Sequence, residues 1–192
     1  LSAGQALRGA MCNVKGRVLS DLWVLRAEED LCLLRLRASI ADAFADNLRR
    51  YAQFSRITVE KDPRQISGIG VCGLAEQLDN YFPGDIGSCR SLSRAIAVRT
   101  SATTAQIIAL PEASSDTATI LEAELGLKPE TGNASAWHET ELRDGHYAIE
   151  SGDEERFTPQ ALNYDLTDRV AFDKGCYTGQ EVVARLHYKG ES

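Results

Sequence analysis

Lys174-Gly175-Cys176-Tyr177-Thr178-Gly179-Gln180-Glu181 sets one thiol between two glycines, beside a lysine, just ahead of an apolar helical run. Thr178 followed by Glu181 has the spacing of a capping box, so a helix is expected through Val182, Val183, Ala184 and Leu186. The partial positive charge of a helix start and the Lys174 ammonium both favour thiolate over thiol. Such cysteines act as nucleophiles or metal ligands at neutral pH. The plainer account is a small buried hydrophobe, although glycines on both sides suit close approach to a ligand better than a packed core.

Outward from this stretch, the chain reads as strands followed by packed helices. Gln5 to Cys12 is expected as a strand, Asn13 to Gly16 as a tight turn and Arg17 to Arg26 as a second strand. Glu28-Glu29-Asp30 is a polar turn before a third strand, Leu31 to Arg37. Ser39 is placed as the cap of a helix carrying Ile40, Ala43, Phe44, Asn47, Leu48 and Tyr51, and Ile57 to Glu60 as a closing strand. After the break at Lys61-Asp62-Pro63-Arg64, a second unit is expected. It has a strand from Ile66 to Val71, a helix carrying Leu74, Leu78 and Phe82, paired strands Ala95 to Arg99 and Ala105 to Leu110, and a helix from Ser114 or Ser115 to Gly126. Lys128 to Ser135 reads as a connector. The fold class is α+β, with expected segments 1–62, 63–127 and 128–192.

Composition narrows the function. A formal charge of −7 over 192 residues argues against a general nucleic-acid binder. Cysteines 12, 32, 72, 89 and 176 form no Cys-x-x-Cys pair, which points away from a zinc ribbon or a self-contained iron–sulfur site and toward free thiols in a reducing compartment. His138, His146 and His187 lack metal-ligand spacing, so no metal site is expected. No run of about 18 apolar residues spans a membrane. Gly68-x-Gly70 is too short for a dinucleotide fingerprint. Arg185 follows Glu181 by four residues, which fits an i,i+4 ion pair or a cation for an anionic ligand. Lys15 fits either a solvated turn lysine or a ligand contact.

The octapeptide resembles the signature of the YgfZ-type folate-binding proteins, relatives of the glycine-cleavage T-protein, an aminomethyltransferase. Phe157-Thr158-Pro159-Gln160-Ala161-Leu162-Asn163 precedes it as in that family, and Arg185 with His187-Tyr188-Lys189-Gly190 follows. Cys12-Asn13-Val14-Lys15-Gly16-Arg17-Val18 resembles the family's first hairpin, and Leu142-Arg143-Asp144-Gly145-His146 its Arg-x-Gly segment. The resemblance implies a T-protein-like folate-binding fold of two strand–helix units around a central cavity that takes tetrahydrofolate or a one-carbon derivative. It implies a role in assembly or repair of iron–sulfur enzymes, with an indirect effect on tRNA modification. Its expected partners are a reduced folate and iron–sulfur assembly factors or client enzymes, with no direct nucleic acid and no membrane. A cytoplasmic location is implied, or the mitochondrial matrix in a eukaryote. An earlier N-terminal segment and a later β-barrel are also implied; neither is among these residues, and the chain opens at Leu1 without methionine.

The resemblance also assigns residues. Cys176 is the reactive or cluster-contacting group, supported by Lys174 and Gln180. Lys15, Lys174 and Arg185 are candidates for the folate's glutamate tail, and Tyr177 and Glu181 are further cofactor contacts. Asp21 stands where the T-proteins carry adjacent acids, one of them catalytic. Here the pair reads Ser20-Asp21, which points away from aminomethyl transfer. Two other classes stay open: a one-carbon transferase or demethylase using Asp21, and a non-catalytic scaffold that docks a partner.

Overall fold

The computed structural model describes residues 1–61, 67–69, 75–109, 117–128, 130 and 132–189. β1 (Gln5–Cys12) and β2 (Val18–Arg26) flank the expected turn, and β3 (Cys32–Arg35) follows. The three form one sheet in the order β1-β2-β3, with the tight connections that join antiparallel neighbours. Asn13 makes the first turn: its side-chain Oδ1 accepts from the N–H groups of Lys15 (2.9 Å) and Arg17 (3.0 Å), as an Asx turn does. As the middle strand, β2 is buried on both faces, which places Ser20 and Asp21 in the interior beside Leu22 and Trp23.

A single 3₁₀ turn, Ala38–Ile40, leads into α1 (Ala41–Ala52). Ser39 is therefore inside the turn and does not cap α1. Its hydroxyl accepts instead from the Ser151 N–H at 3.2 Å. Phe44 and Ala45 of α1 are buried, whereas Ala43 and Tyr51, expected on the same face, are exposed. The segment 57–60 joins no strand ladder among the described residues, so the expected closing strand does not form there. Ile57 is exposed, and the Val59 carbonyl accepts from the Arg49 side chain.

The remaining elements are β4 (Ser67–Ile69), α2 (Ala75–Tyr81), β5 (Cys89–Ser91), β6 (Ala95–Arg99), β7 (Ala105–Ala109), α3 (Thr117–Leu125), α4 (Ala134–Arg143), a second 3₁₀ turn (Gln160–Leu162) and α5 (Gln180–Lys189). Leu74, Ser114 and Ser115, expected in or before helices, lie outside the described residues. β5 and α4 were not expected. β5 lacks apolar alternation and is held by its pairing with β6, Cys89 opposite Val98. α4 begins inside the expected connector because Asn133 caps it, its Oδ1 accepting from the Ser135 N–H at 2.8 Å.

Contacts divide the chain into two units that are not consecutive in sequence: residues 1–7, 25–33 and 64–144, and residues 8–24, 34–63 and 145–192. The three expected segments, by contrast, run in chain order. In the first unit, β4-β7-β6-β5 form an antiparallel sheet with Ala97 opposite Ile107. Ala95, Ala97, Ala105 and Ile107 bury against Leu78 and Phe82 at α2 and Ile120 and Leu121 of α3. Small residues on the sheet let the helical leucines and isoleucine seat closely. Arg99 is buried here, ion-paired with Asp79 and donating to the Phe82, Ser101 and Ala102 carbonyls.

In the second unit, Cys12, Val18, Ile40, Ile149 and Tyr164 form the core. Tyr164 is fully buried, and its phenol donates to the Tyr147 carbonyl at 2.7 Å, so burial leaves no polar atom orphaned. The start of β2 is fixed by two backbone bonds, Val18 N–H to the Phe157 carbonyl and Glu155 N–H to the Val18 carbonyl. This unit carries both motifs that the sequence singles out.

Candidate functional site

The hairpin and the signature meet at two glycines. Gly16 and Gly179 both have left-handed backbones, with φ of +68° and +81°. A Cβ at Gly179 would lie 2.4 Å from the Asn13 carbonyl oxygen and 2.9 Å from the Gly16 Cα; one at Gly16 would lie 3.0 Å from the Val182 Cβ. Only residues without side chains allow this approach. Gln160 adds a tether, its side-chain amide donating to the Val183 carbonyl at 2.8 Å.

The left-handed Gly179 also shifts the helix start. α5 begins at Gln180, and the Gln180 Oε1 accepts from the Tyr177 N–H at 3.3 Å. That bond satisfies the Tyr177 N–H ahead of the helix, and Glu181 does not take the capping role expected of it with Thr178. Glu181 turns to solvent and pairs with Arg185 at 3.2 Å, the ordinary i,i+4 arrangement.

Beneath this junction lies a cavity of about 280 Å³. The end of β1 supplies Ala10, Met11 and Cys12, and α1 supplies Leu48 and Tyr51. Pro159, Arg169 and Val170 form another side, and Lys174, Tyr177, Thr178 and Val183 complete the wall. No lining residue comes from 63–127, so this cavity is not the one expected between the first two strand–helix segments. Its volume sits at the lower edge of the range for small-molecule sites, about 300–1,000 Å³.

The electrostatics of the wall are one-sided. Lys174 and Arg169 are cations, and no carboxylate lines the cavity among the described residues. The Lys174 Nζ stands 4.8 Å above the Tyr177 ring centroid, a cation–π contact. Arg169 is buried, lies 4.9 Å over the Tyr164 ring and donates to the Thr167 hydroxyl at 2.9 Å. Burial pushes the Cys12 thiol up to about 11, with the Lys174 charge pulling the other way. Burial, and then the nearby Cys12, also raises the Tyr177 phenol. The Tyr177 Oη is buried with no hydrogen-bond partner among the described residues.

Behind Arg169 lies a polar cluster within the same unit. Burial raises the Asp21 carboxyl, partly offset by the Ile149 N–H at 2.8 Å and by the Arg169 and Arg35 charges. His146, also buried, is lowered to about 3 by burial and then by Arg8, Arg169 and Arg35. Its imidazole is neutral at physiological pH.

The structure thus brings two of the residues singled out by sequence, Lys174 and Tyr177, to the cavity. Cys176 lies between them in sequence but is exposed and absent from the lining, four residues before α5. Lys15 is exposed at the hairpin tip, Asp21 is buried in β2, and Gln180, Glu181 and Arg185 serve the helix start and its outer face. Arg169, Met11 and Cys12 are cavity residues that sequence reasoning missed. The one available signal for Arg169 is its place before the apolar pair Val170-Ala171, five residues ahead of Lys174. Among the described residues, no group of three or more His, Cys, Asp or Glu is placed to hold a metal, and no helix is long and apolar enough to cross a membrane.

The chain is 30% identical over 197 residues to the tRNA-modifying protein YgfZ of Photorhabdus laumondii, covering 99% of this chain and 58% of that protein. This chain is a YgfZ-type homologue. The YgfZ proteins of Shigella dysenteriae (30% over 201 residues, 99% of this chain and 59% of theirs) and Yersinia pseudotuberculosis (29% over 196 residues, 99% and 58%) match to the same extent. The chain therefore spans somewhat under two thirds of the length of these YgfZ relatives. No family model matches it. The YgfZ alignments run through both the hairpin and the signature, the two segments that the Gly16–Gly179 contact joins.

Proposed function

We propose that this chain carries the folate-binding part of a YgfZ-type protein, with a T-protein-like fold. In the full-length protein it binds tetrahydrofolate or a one-carbon derivative and supports assembly or repair of iron–sulfur enzymes. The name that the relatives carry, tRNA-modifying protein YgfZ, supports a role in tRNA modification. We read that role as indirect, through iron–sulfur enzymes that modify tRNA, in keeping with a formal charge of −7.

The observation that carries this reading is the cavity itself, whose wall is shared by hairpin and signature. It offers an apolar and aromatic surface from Met11, Leu48, Pro159 and Tyr177 for a flat ring, and two cations for an acid. The buried Asp21, already accepting from Ile149 and off the cavity wall, favours binding over one-carbon transfer at this position. Cys176, exposed beside the cavity segment, is suited to meet a protein partner. A lone thiol does not hold a cluster that takes four protein ligands, so its role is transient.

The test is complementation. In cells lacking the native YgfZ-type protein, the full-length protein should restore iron–sulfur enzyme activity and the dependent tRNA modification. Cys176→Ser should bind folate as the native protein does and fail to restore either activity. Full restoration by the serine variant would remove Cys176 from the function.

A further inference from the structure

We propose that the exposed end of α1, from Arg50 to Ile57, is a docking surface for an acidic, apolar segment of a protein partner. This adds a partner surface to the reading above and does not depend on the folate.

The surface is apolar where solvent reaches it. Tyr51 is 54% exposed, Phe54 90% and Ile57 65%. Large apolar side chains scattered singly need no explanation, but three within one short stretch form a patch. The helical turn persists past α1, with the Gln53 N–H on the Arg49 carbonyl and the Phe54 N–H on the Tyr51 carbonyl, both at 3.3 Å. Tyr51 and Phe54 therefore share a face. The Arg49 Nε donates to the Val59 carbonyl at 3.2 Å, which holds the segment after Ile57 against the helix end.

Charge names the occupant. The chain carries −7 overall, yet residues 49–61 hold the cations Arg49, Arg50, Arg56 and Lys61 against one acid, Glu60. Asp46 engages Arg49 and Asp42 engages Lys61, each at 2.7 Å. Arg50 and Arg56 are exposed and have no ion-pair partner among the described residues. Two guanidiniums around exposed aromatic and branched side chains match carboxylates set among apolar residues. A nucleic acid is disfavoured. Two unpaired cations neutralise few phosphates, and Asp42, Asp46 and Glu60 stand in the same stretch of chain. Tyr51 also lines the cavity with Lys174 and Tyr177, which lie on either side of Cys176 in sequence. A partner seated here therefore meets the segment that carries the exposed thiol.

Photo-crosslinking of the full-length protein in cells is the test. Phe54→p-benzoylphenylalanine is irradiated with and without the paired changes Arg50→Glu and Arg56→Glu, and the joined peptide is sequenced by mass spectrometry. The expected result is a protein adduct through a segment rich in Asp or Glu with apolar neighbours, reduced about fivefold or more by the charge reversal. The reversal should leave the urea unfolding midpoint unshifted and tetrahydrofolate affinity within about twofold of native, because neither arginine lines the cavity. Should the reversal shift the midpoint, Arg50→Gln with Arg56→Gln removes the charge without adding acids and should lower the adduct in the same direction. No adduct, an adduct through a basic or uncharged segment, or a yield that loss of both charges leaves unchanged overturns the proposal. An adduct removed by ribonuclease assigns the patch to nucleic acid and overturns it as well. The folate affinity is read separately, so failure here and failure of the folate reading are distinct results.

Discussion

Gly179 sits on Gly16 with no room between them for a side chain: a Cβ on Gly179 would stand 2.9 Å from both the Cα and the N of Gly16. The two residues are far apart in sequence and belong to the two motifs by which the chain resembles its relatives. Neither glycine lines the cavity, but the segments they join do, through Cys12 on one side and Tyr177, Thr178 and Val183 on the other.

Gly179→Ala should therefore destabilise the protein by roughly 2–4 kcal/mol, combining left-handed backbone strain with a backbone clash. Gly16→Ala meets Val182 side-chain atoms at 3.0 and 3.1 Å and should cost roughly 1–3 kcal/mol. Urea unfolding midpoints check both. A loss under about 0.5 kcal/mol for Gly179→Ala would mean that the two segments do not meet this closely.

His146 should make stability depend on pH. Its folded pKa, about 3, lies below the ordinary value near 6.5. Between these values the unfolded chain binds a proton that the folded one refuses, so the contribution is full above about 6.5 and is lost as pH falls toward 3. Asp21 is shifted upward and acts with the opposite sign at the acid end. Denaturation at about pH 7 and about pH 4.5 should show a smaller acid loss in His146→Gln than in the native protein, the difference being of the order of a few kcal/mol. Equal slopes would contradict the buried neutral imidazole.

The thiols should rank by exposure. Cys12 and Cys89 are both pushed up to about 11 by burial, so little thiolate forms at neutral pH. Cys32 and Cys176 are exposed. Limiting iodoacetamide at neutral pH, read by mass spectrometry, should label Cys176 at least about tenfold faster than Cys12 or Cys89. Prior labelling of Cys12 would show that the cavity wall opens in solution.

Much of this was legible in the sequence, for identifiable reasons. Asn13 and Gly16 announced the first turn, and the two short apolar runs at 95–99 and 105–110 read as paired strands, as β6 and β7 are. The glycines around Cys176 suggested close approach to a ligand; Gly179 instead packs on the Gly16 backbone, and a Cβ at Gly175 would meet nothing within 4 Å. What stayed hidden depended on burial. Asp21 and Arg169 are charged residues that any local reading places in solvent, yet both lie in the interior because β2 is a central strand and Arg169 stacks on Tyr164. Met11 and Cys12 read as strand core, and nothing local tells a core position from a cavity wall. The capping box at Thr178 failed because Gly179 takes a backbone that starts α5 one residue later.

The exposed pair Glu181–Arg185 should matter little. Arg185→Ala should change stability by less than about 0.5 kcal/mol, as for other solvated i,i+4 pairs. Together with Lys15→Ala, it should leave folate affinity within about twofold of native, because neither side chain lines the cavity. Calorimetry on the two variants decides, and a tenfold loss in either would return that residue to the binding site.

The most direct test is a titration of the full-length protein with tetrahydrofolate under anaerobic conditions, alongside Lys174→Met. Saturable binding by the native protein, weakened about fivefold or more in the variant, is the expected result, since the ammonium is one of two cations on the cavity wall. Absence of binding up to millimolar folate, or an affinity that Lys174→Met leaves unchanged, would contradict a folate site in this cavity.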